Sequence, residues 1–488
     1  MALIMYENFF KNIKKQIQAS FNLYSKENFI EFHIILDSND QCLFSDKKWI
    51  SQRWMCTEGI QCRVYTKRGA GVSYRTLDVD IEFENLIEEA MIIADQELLD
   101  DICEIFWDDY LSEINISDSR EYSHFKKGLN EQIWLINSHL PTNKSIDKIN
   151  IEFCKKYRIE IYANNRGVFF IHDKPCNLFM SKMISEKNDI SYFIRKAYNT
   201  TAMIDEKEID KFFNIGVYLI NEIKDARILC ECPEYDYLAV EYSLMGMIVH
   251  EALGHALEGD NIYNGSSKLT ELKEKNNRIV HKNLNIICDS TIDNCGKQII
   301  DSHGIKGGPK YLVKNGVLIG AMTDKILSKY ISSDANGHAR NQYYYERPQC
   351  RMTSIYLAPN DYDEKVDLNI YDVESVKKVL GLKGYLRNNK KILYLFDWIG
   401  GNASWSSLNF RISIPLAYLI SAAGDIQRFR NIVITGNALD LLNSYEKSFG
   451  KLRVDTFGYC SKQKTLILTS DGGPELTLFK KPDTIKFF

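Results

Sequence analysis

The sequence predicts an α+β fold: an N-terminal mixed α/β region followed by a C-terminal domain of largely antiparallel β-sheet served by one long apolar helix. Three observations carry this expectation. Helical periodicities alternate with β-prone runs before about residue 230. One apolar stretch of helical length follows Pro233. Beyond it the chain breaks into short strand-like segments with tight-turn signals. At 488 residues the chain exceeds a single compact core, and three units are expected, spanning 1–117, 118–228 and 229–488.

The first unit opens with a helix in which Phe10, Ile13 and Ile17 recur at helical spacing. Phe29–Leu36 and Ile60–Tyr65 read as strands, with Lys67-Arg68-Gly69 as a turn, and Ile81–Leu99 as an amphipathic helix. The second unit begins with a helix near Asp118. It continues into the strands Arg158–Tyr162 and Gly167–His172, joined through Asn164-Asn165-Arg166-Gly167, and ends in a helix over Ile209–Ile223. In the third unit Tyr237–Leu257 reads as one long apolar helix. Tyr311–Val313 and Val317–Ile319 flank Lys314-Asn315-Gly316, a hairpin signal because an Asn-Gly pair accepts the positive φ angles of a tight turn. Ile392–Phe396, Phe410–Ile414, Ile432–Thr435 and Thr465–Thr469 complete the expected sheet.

The 45% apolar and 26% charged fractions are those of a soluble globular protein, and a net charge of -4 leaves no footprint for nucleic acid. Lys11, Lys14 and Lys15 interrupt any secretory signal, and no run of about 18 apolar residues suits a membrane span. The 12 cysteines are scattered from Cys42 to Cys460, which fits thiols in a reducing cytoplasm better than a disulfide framework. The expectation is a cytoplasmic protein without nucleic-acid or membrane partners.

Chemistry concentrates in His250-Glu251-Ala252-Leu253-Gly254-His255. Two imidazoles are suitable zinc ligands, and a glutamate beside the first can act as general base toward a metal-activated water. The usual spacing places the two histidines four residues apart. Here they are five apart, which on a regular helix turns their rings about 140° away from each other. They converge only if the helix widens into a π-turn or ends near the second histidine, and Gly254 suits either distortion through its backbone freedom.

A third ligand is required. Glu258 would make an all-helix site, while His303, His338, Cys350 and Cys460 are remote options. Cys460 lies in Phe457-Gly458-Tyr459-Cys460-Ser461, a loop-like stretch just before a strand. Residue chemistry leaves these alternatives open.

The segment His250–Asp260 resembles the zinc helix of the TldD/PmbA family of metallopeptidases. Asp301-Ser302-His303-Gly304, Asn315-Gly316-Val317-Leu318, Arg351-Met352-Thr353-Ser354, Ile434-Thr435-Gly436-Asn437 and Ser470-Asp471-Gly472-Gly473-Pro474 fall in the family's order. Gly59–Tyr74 resembles its N-terminal strand pair more weakly. The resemblance implies a cysteine as third zinc ligand, about fourteen residues before a Gly-x-Pro-type turn, the place of Cys460 relative to Pro474. It implies one zinc per catalytic subunit, held by His250, His255 and Cys460, with Glu251 as catalytic base. It also implies a peptide substrate, and pairing either with a related TldE/PmbA-like subunit that lacks the motif or with a second copy. Ser461, Lys464 and Thr465 depart from the family pattern, which bears on substrate preference more than on metal binding. Two other readings are a non-catalytic assembly subunit with a structural metal site, Glu258 supplying a fourth ligand, and a zinc hydrolase of non-peptide amides.

Other features point to structure. Cys230-Glu231-Cys232 is too closely spaced for a zinc ribbon and reads as structural thiols. Gly307-Gly308-Pro309 and Gly400-Gly401 lack the strand–helix context of phosphate loops. Tyr343-Tyr344-Tyr345, between Arg340 and Arg347, reads as a half-buried surface or a substrate-channel wall.

Overall fold

The computed structural model describes residues 2–24, 27–46, 48–77, 81–96, 129–200, 202–273, 278–331, 333–456 and 458–488. The 117/118 boundary and the helix expected near Asp118 lie outside them.

The chain is α+β, as its sequence predicts. Among the described residues its N-terminal half forms one antiparallel six-stranded sheet. The strands are β1 (Phe29–Ser45), β2 (Lys48–Tyr65), β3 (Ala70–Thr76), β4 (Lys148–Asn164), β5 (Phe169–Ser185) and β6 (Ile190–Tyr198), in the order β3-β2-β1-β4-β5-β6. β1 and β4 pair from Glu31–Asn164 to Ser45–Asn150, so strands on either side of the 117/118 boundary belong to one sheet. The helices α1 (Ala2–Asn22) and α2 (Phe83–Gln96) cover part of it through Ile13, Ile17, Leu86 and Ala90, packed with Phe32, Ile34 and Ile161. α3 (Leu129–Ser138) and α4 (Glu206–Lys224) contribute to a second core. Asp205 caps α4 by accepting from the Glu208 amide, and Ile209, Phe212, Phe213, Leu219, Ile220 and Ile223 form its apolar stripe. That stripe shares a core with Tyr394 and Tyr418 of the C-terminal sheet.

The C-terminal half is a fourteen-stranded sheet, mostly antiparallel. Its principal strands are β7 (Tyr237–Glu241), β8 (Leu284–Asp289), β9 (Pro309–Lys314), β10 (Val317–Leu318), β11 (Ser354–Pro359), β12 (Lys391–Phe396), β13 (Gly400–Ser404), β14 (Asn409–Ser421), β15 (Ile426–Asn437), β16 (Tyr445–Val454), β17 (Gly458–Lys462) and β18 (Thr465–Lys480). β7 lies between β18 and β12, and both β16 and β17 pair with β18. Asn315 and Gly316 take positive φ between β9 and β10, the hairpin their pairing predicts.

The long helix expected over Tyr237–Leu257 is corrected at its start. Tyr237–Glu241 is a buried central strand, because a short apolar run suits a sheet interior as well as a helix. Glu241 ends it by capping the following α5 (Tyr242–Val249), accepting from the amides of Ser243 at 2.7 Å and Leu244 at 2.6 Å. Ser243 through Val249 are all buried, so α5 is wrapped on every side. It lies close against β18: a Cβ on Gly246 would stand 2.3 Å from the Gly472 amide nitrogen. Ser470-Asp471-Gly472-Gly473-Pro474 therefore serves this approach, besides holding Asp471.

Two cysteine expectations also change. Cys176 and Cys295, 119 residues apart, form a disulfide between the two halves, a pairing no local spacing signals. Cys230 and Cys232, read as structural thiols, are exposed. Among the described residues, no helix is long and apolar enough to cross a membrane.

Candidate metal centre

The helix α5 does not continue regularly into the motif. His250–Gly254 forms a π-turn, His255–Leu257 a short 3-10 turn, and the backbone becomes extended at Glu258. The His255 amide donates to the His250 carbonyl, an i→i+5 bond that widens the turn. The five-residue spacing is thereby accommodated: the two rings lie 5.2 Å apart and nearly perpendicular. Gly254 contributes differently from the sequence expectation. Its φ and ψ of -57° and -56° are ordinary helical values. What excludes a side chain is space, since a Cβ there would lie 2.2 Å from the Met352 sulfur.

Cys460 comes from β17, which is a strand paired with β18 and not the loop expected. Its sulfur lies 3.5 Å from His255 Nε2. One ligand atom from each of His250, His255 and Cys460 lies within 4.8 Å of the others, and all three residues are buried. This is the one such donor group among the described residues. Burial would raise the Cys460 thiol, but His250 and His255 outweigh it and hold the group well below the usual thiol range. Both histidines are raised against their own burial, His250 chiefly by Cys460 and His255 chiefly by Glu258. Two imidazoles around one thiolate form a donor set suited to a metal ion. Glu251 is half-buried on the same π-turn.

The other ligand candidates fall elsewhere. Glu258 reaches His255 Nδ1 at 2.9 Å, the ring nitrogen opposite the one near Cys460. It also accepts from Lys462 Nζ at 2.8 Å and from the Met352 amide at 3.3 Å. Despite burial, His255, Lys462 and Arg351 hold its carboxyl down to about 2. This is the geometry of a carboxylate that orients a ligand histidine. His338 bonds Asn336 and Cys288, and Cys350 donates to the Met322 carbonyl. His303 is buried beside Arg63. Asp301 accepts from the amides of His303, Ile305 and Ala339, so that motif builds a turn.

Several contributors escaped sequence reasoning. Asp471 Oδ2 lies 3.6 Å from His250 Nδ1, a second carboxylate behind a histidine, with burial pushing it up to about 7. Trp405 packs edge-on to His255 at 5.5 Å. Lys462 shares the Cys460 face of β17 because side chains two apart point the same way. That alternation was the available signal. The departing Thr465 also has a place: its hydroxyl accepts from Arg351 Nη1 at 2.5 Å, while Arg351 Nη2 donates to the Cys460 carbonyl at 2.7 Å. The altered turn thus braces the strand that carries the thiolate.

Residues 237–480 match the PmbA/TldA metallopeptidase C-terminal domain. Over an alignment of 489 residues the chain is 25% identical to a zinc metalloprotease TldD homolog of Saccharolobus solfataricus, covering 96% of this chain and 98% of the relative. A metalloprotease TldD homolog of Buchnera aphidicola is 28% identical over 237 residues, 48% of this chain and 45% of the relative. The crystal structure of TldE from Thermococcus kodakarensis is similar with a TM-score of 0.70, over 97% of this chain and 99% of that one, at 12% identity. That last likeness is one of fold.

Proposed function

The chain belongs to the PmbA/TldD metallopeptidase family, and on that premise we propose that it is a zinc-dependent peptidase hydrolysing peptide bonds in small or unfolded peptides. One observation carries the reading: two histidines and a cysteine, all buried, converge on a helix turn widened to bring them together. Zinc fits the donor set. Bonds of about 2.05 Å to nitrogen and 2.3 Å to sulfur, at a tetrahedral angle, require an N···S separation of about 3.6 Å, and His255 Nε2 lies 3.5 Å from the Cys460 sulfur.

His250, His255 and Cys460 would hold the ion, with Glu258 fixing the orientation of His255 and Asp471 standing behind His250. When bound, zinc supplies polarisation of a carbonyl and acidification of water. Glu251 takes the proton from the attacking water and returns it to the leaving amine. A structural site would need a fourth protein donor. Glu258 is committed to His255 Nδ1, Lys462 and the Met352 amide, which favours an open position and the catalytic reading.

The test pairs metal analysis with peptide digestion for wild type and Glu251→Gln. The expected result is retained zinc with cleavage reduced at least about 100-fold, the scale of a lost general base. Unchanged cleavage removes Glu251 as base, and Cys460→Ala with full zinc removes that ligand. As part of the same reading, the protein works in the cytoplasm and pairs with a related TldE/PmbA-like subunit without the motif, or with itself. Mass measurement of the native assembly checks the pairing.

A further inference from the structure

A cavity of about 660 Å³ lies between the N-terminal sheet and the hairpin formed by β17 and β18. Alternation along β17 turns Tyr459, which lines this cavity, away from the face that carries Cys460. The cavity and the metal centre therefore share one strand as a wall.

The charges around it are unevenly matched. Glu160 serves both Arg158 at 2.5 Å and Lys174 at 2.9 Å, and Arg158 also reaches Asp37 at 3.1 Å. Arg340 lines the same cavity, 7% exposed, and has no carboxylate within ion-pair distance among the described residues. Its guanidinium donates to the carbonyls of Met352 and Leu468. Burial, with Arg351 adding to it, pushes that group down to about 10. Lys156 is placed alike: it bonds the Tyr459 hydroxyl at 3.0 Å and stands over that ring, with no carboxylate partner among the described residues. Lys297 is matched by Asp293 at 3.0 Å, and Asp173 accepts from the Tyr157 hydroxyl. His172, 6% exposed, also lines the cavity, and its Nδ1 has no hydrogen-bond partner among the described residues. The hydrogen bonds of the buried Arg340 guanidinium go to carbonyls, and Glu160 and Cys460 offset its charge only in part, which leaves a place for an anion.

We propose that this cavity receives a carboxylate of an extended peptide, with Arg340 and Lys156 as its cationic partners. The proposal rests on the peptidase reading only in choosing a peptide as the carrier. The carboxylate is held on the far side of β17 from the metal centre. It therefore selects substrates by a group away from the scissile bond, either an acidic side chain or the C-terminus.

The experiment measures fluorescence anisotropy of labelled ten-residue peptides on metal-loaded Glu251→Gln protein. The peptides differ by one Glu or Gln, each with a free or an amidated C-terminus. A charge-assisted contact predicts roughly tenfold tighter binding of the carboxylate-bearing member of a pair. The Glu/Gln pair reports a side-chain source, and the free/amidated pair a terminal one. Lys156→Met, at a half-exposed position, and Arg340→Met should each reduce the preference severalfold; if Arg340→Met fails to fold, Lys156→Met carries the test. Equal binding of all four peptides, or a preference unchanged in the folded variants, overturns the proposal. Digestion of the same peptides by wild type separates the two readings. Charge preference without cleavage leaves the carboxylate site standing and removes the peptidase. Cleavage without charge preference does the reverse.

Discussion

The turn that carries the candidate ligands and the outer half of β2 lie at opposite extremes of burial. From Ser243 to Val249 every residue of α5 is buried, and His250, Ala252, Leu253, Gly254 and His255 continue that burial. From Lys48 to Glu58 no residue of β2 is buried, and Trp49, Ile50, Trp54 and Met55 are exposed. The contrast shows where this molecule can hold chemistry. Donor atoms that must meet within tenths of an ångström sit where packing over-determines every side chain. The exposed strand is constrained mainly by its pairing with β1, so most side chains fit there.

The largest effect expected from that contrast is at Glu258. Asp260 still pairs with Lys462 at 2.7 Å in Glu258→Gln, but the fully buried Arg351 loses its carboxylate neighbour, which should destabilise the fold by about 3–5 kcal/mol. It should also weaken zinc binding by about 10- to 100-fold, through loss of the carboxylate behind His255. Urea unfolding and competition with a metal indicator measure the two. Wild-type zinc affinity in a folded variant would show that Glu258 is structural only.

Next is Gly246→Ala. Its methyl meets the backbone of β18 at Gly472 and Asp471 as well as the Asp471 carboxylate, so overpacking should destabilise by about 1–3 kcal/mol. A variant as stable as wild type would show that α5 can shift, and the contrast with β2 would break.

A third test concerns acid. Burial pushes His33 and His172, both in the N-terminal sheet, down to about 3. Folding therefore disfavours their protonation. Stability is complete above the unfolded value near 6.5 and is lost as pH falls from there toward 3. Going from pH 7 to pH 5 should cost about 2 kcal/mol per histidine, read from urea midpoints. His33→Gln should flatten that dependence by about half of the two-histidine total. An unchanged slope would place the acid sensitivity elsewhere.

The smallest effect is expected at Ile50→Thr, on the exposed part of β2, within about 0.5 kcal/mol of wild type. A larger loss would mean that this surface is covered in the assembly.

Much of the C-terminal architecture was legible because its signals are local. The Asn315-Gly316 hairpin, the strand segments after residue 390 and the helix distortion between His250 and His255 all follow from dihedral preference or periodicity. The strand at Tyr237–Glu241 was not, since five apolar residues do not distinguish a central strand from a helix start. Nor was the reason for Gly254, because the atom it makes room for belongs to Met352, about a hundred residues on. Cys460 was singled out by family resemblance; spacing alone left it level with other thiols and histidines.

By itself, then, the sequence determined the fold class, the hairpins and the demand that two histidines five apart meet only on a distorted helix. Those are short-range properties, decided by steric limits and hydrogen bonds within a few residues. Only the tertiary structure decided that Cys460 meets the histidines and Glu258 stands behind one of them. It also decided that Lys462 neutralises that carboxylate and that Cys176 reaches Cys295. These depend on which distant strands pair and which buried charges find partners. That choice is made by packing and desolvation over the whole chain, and no local pattern records it.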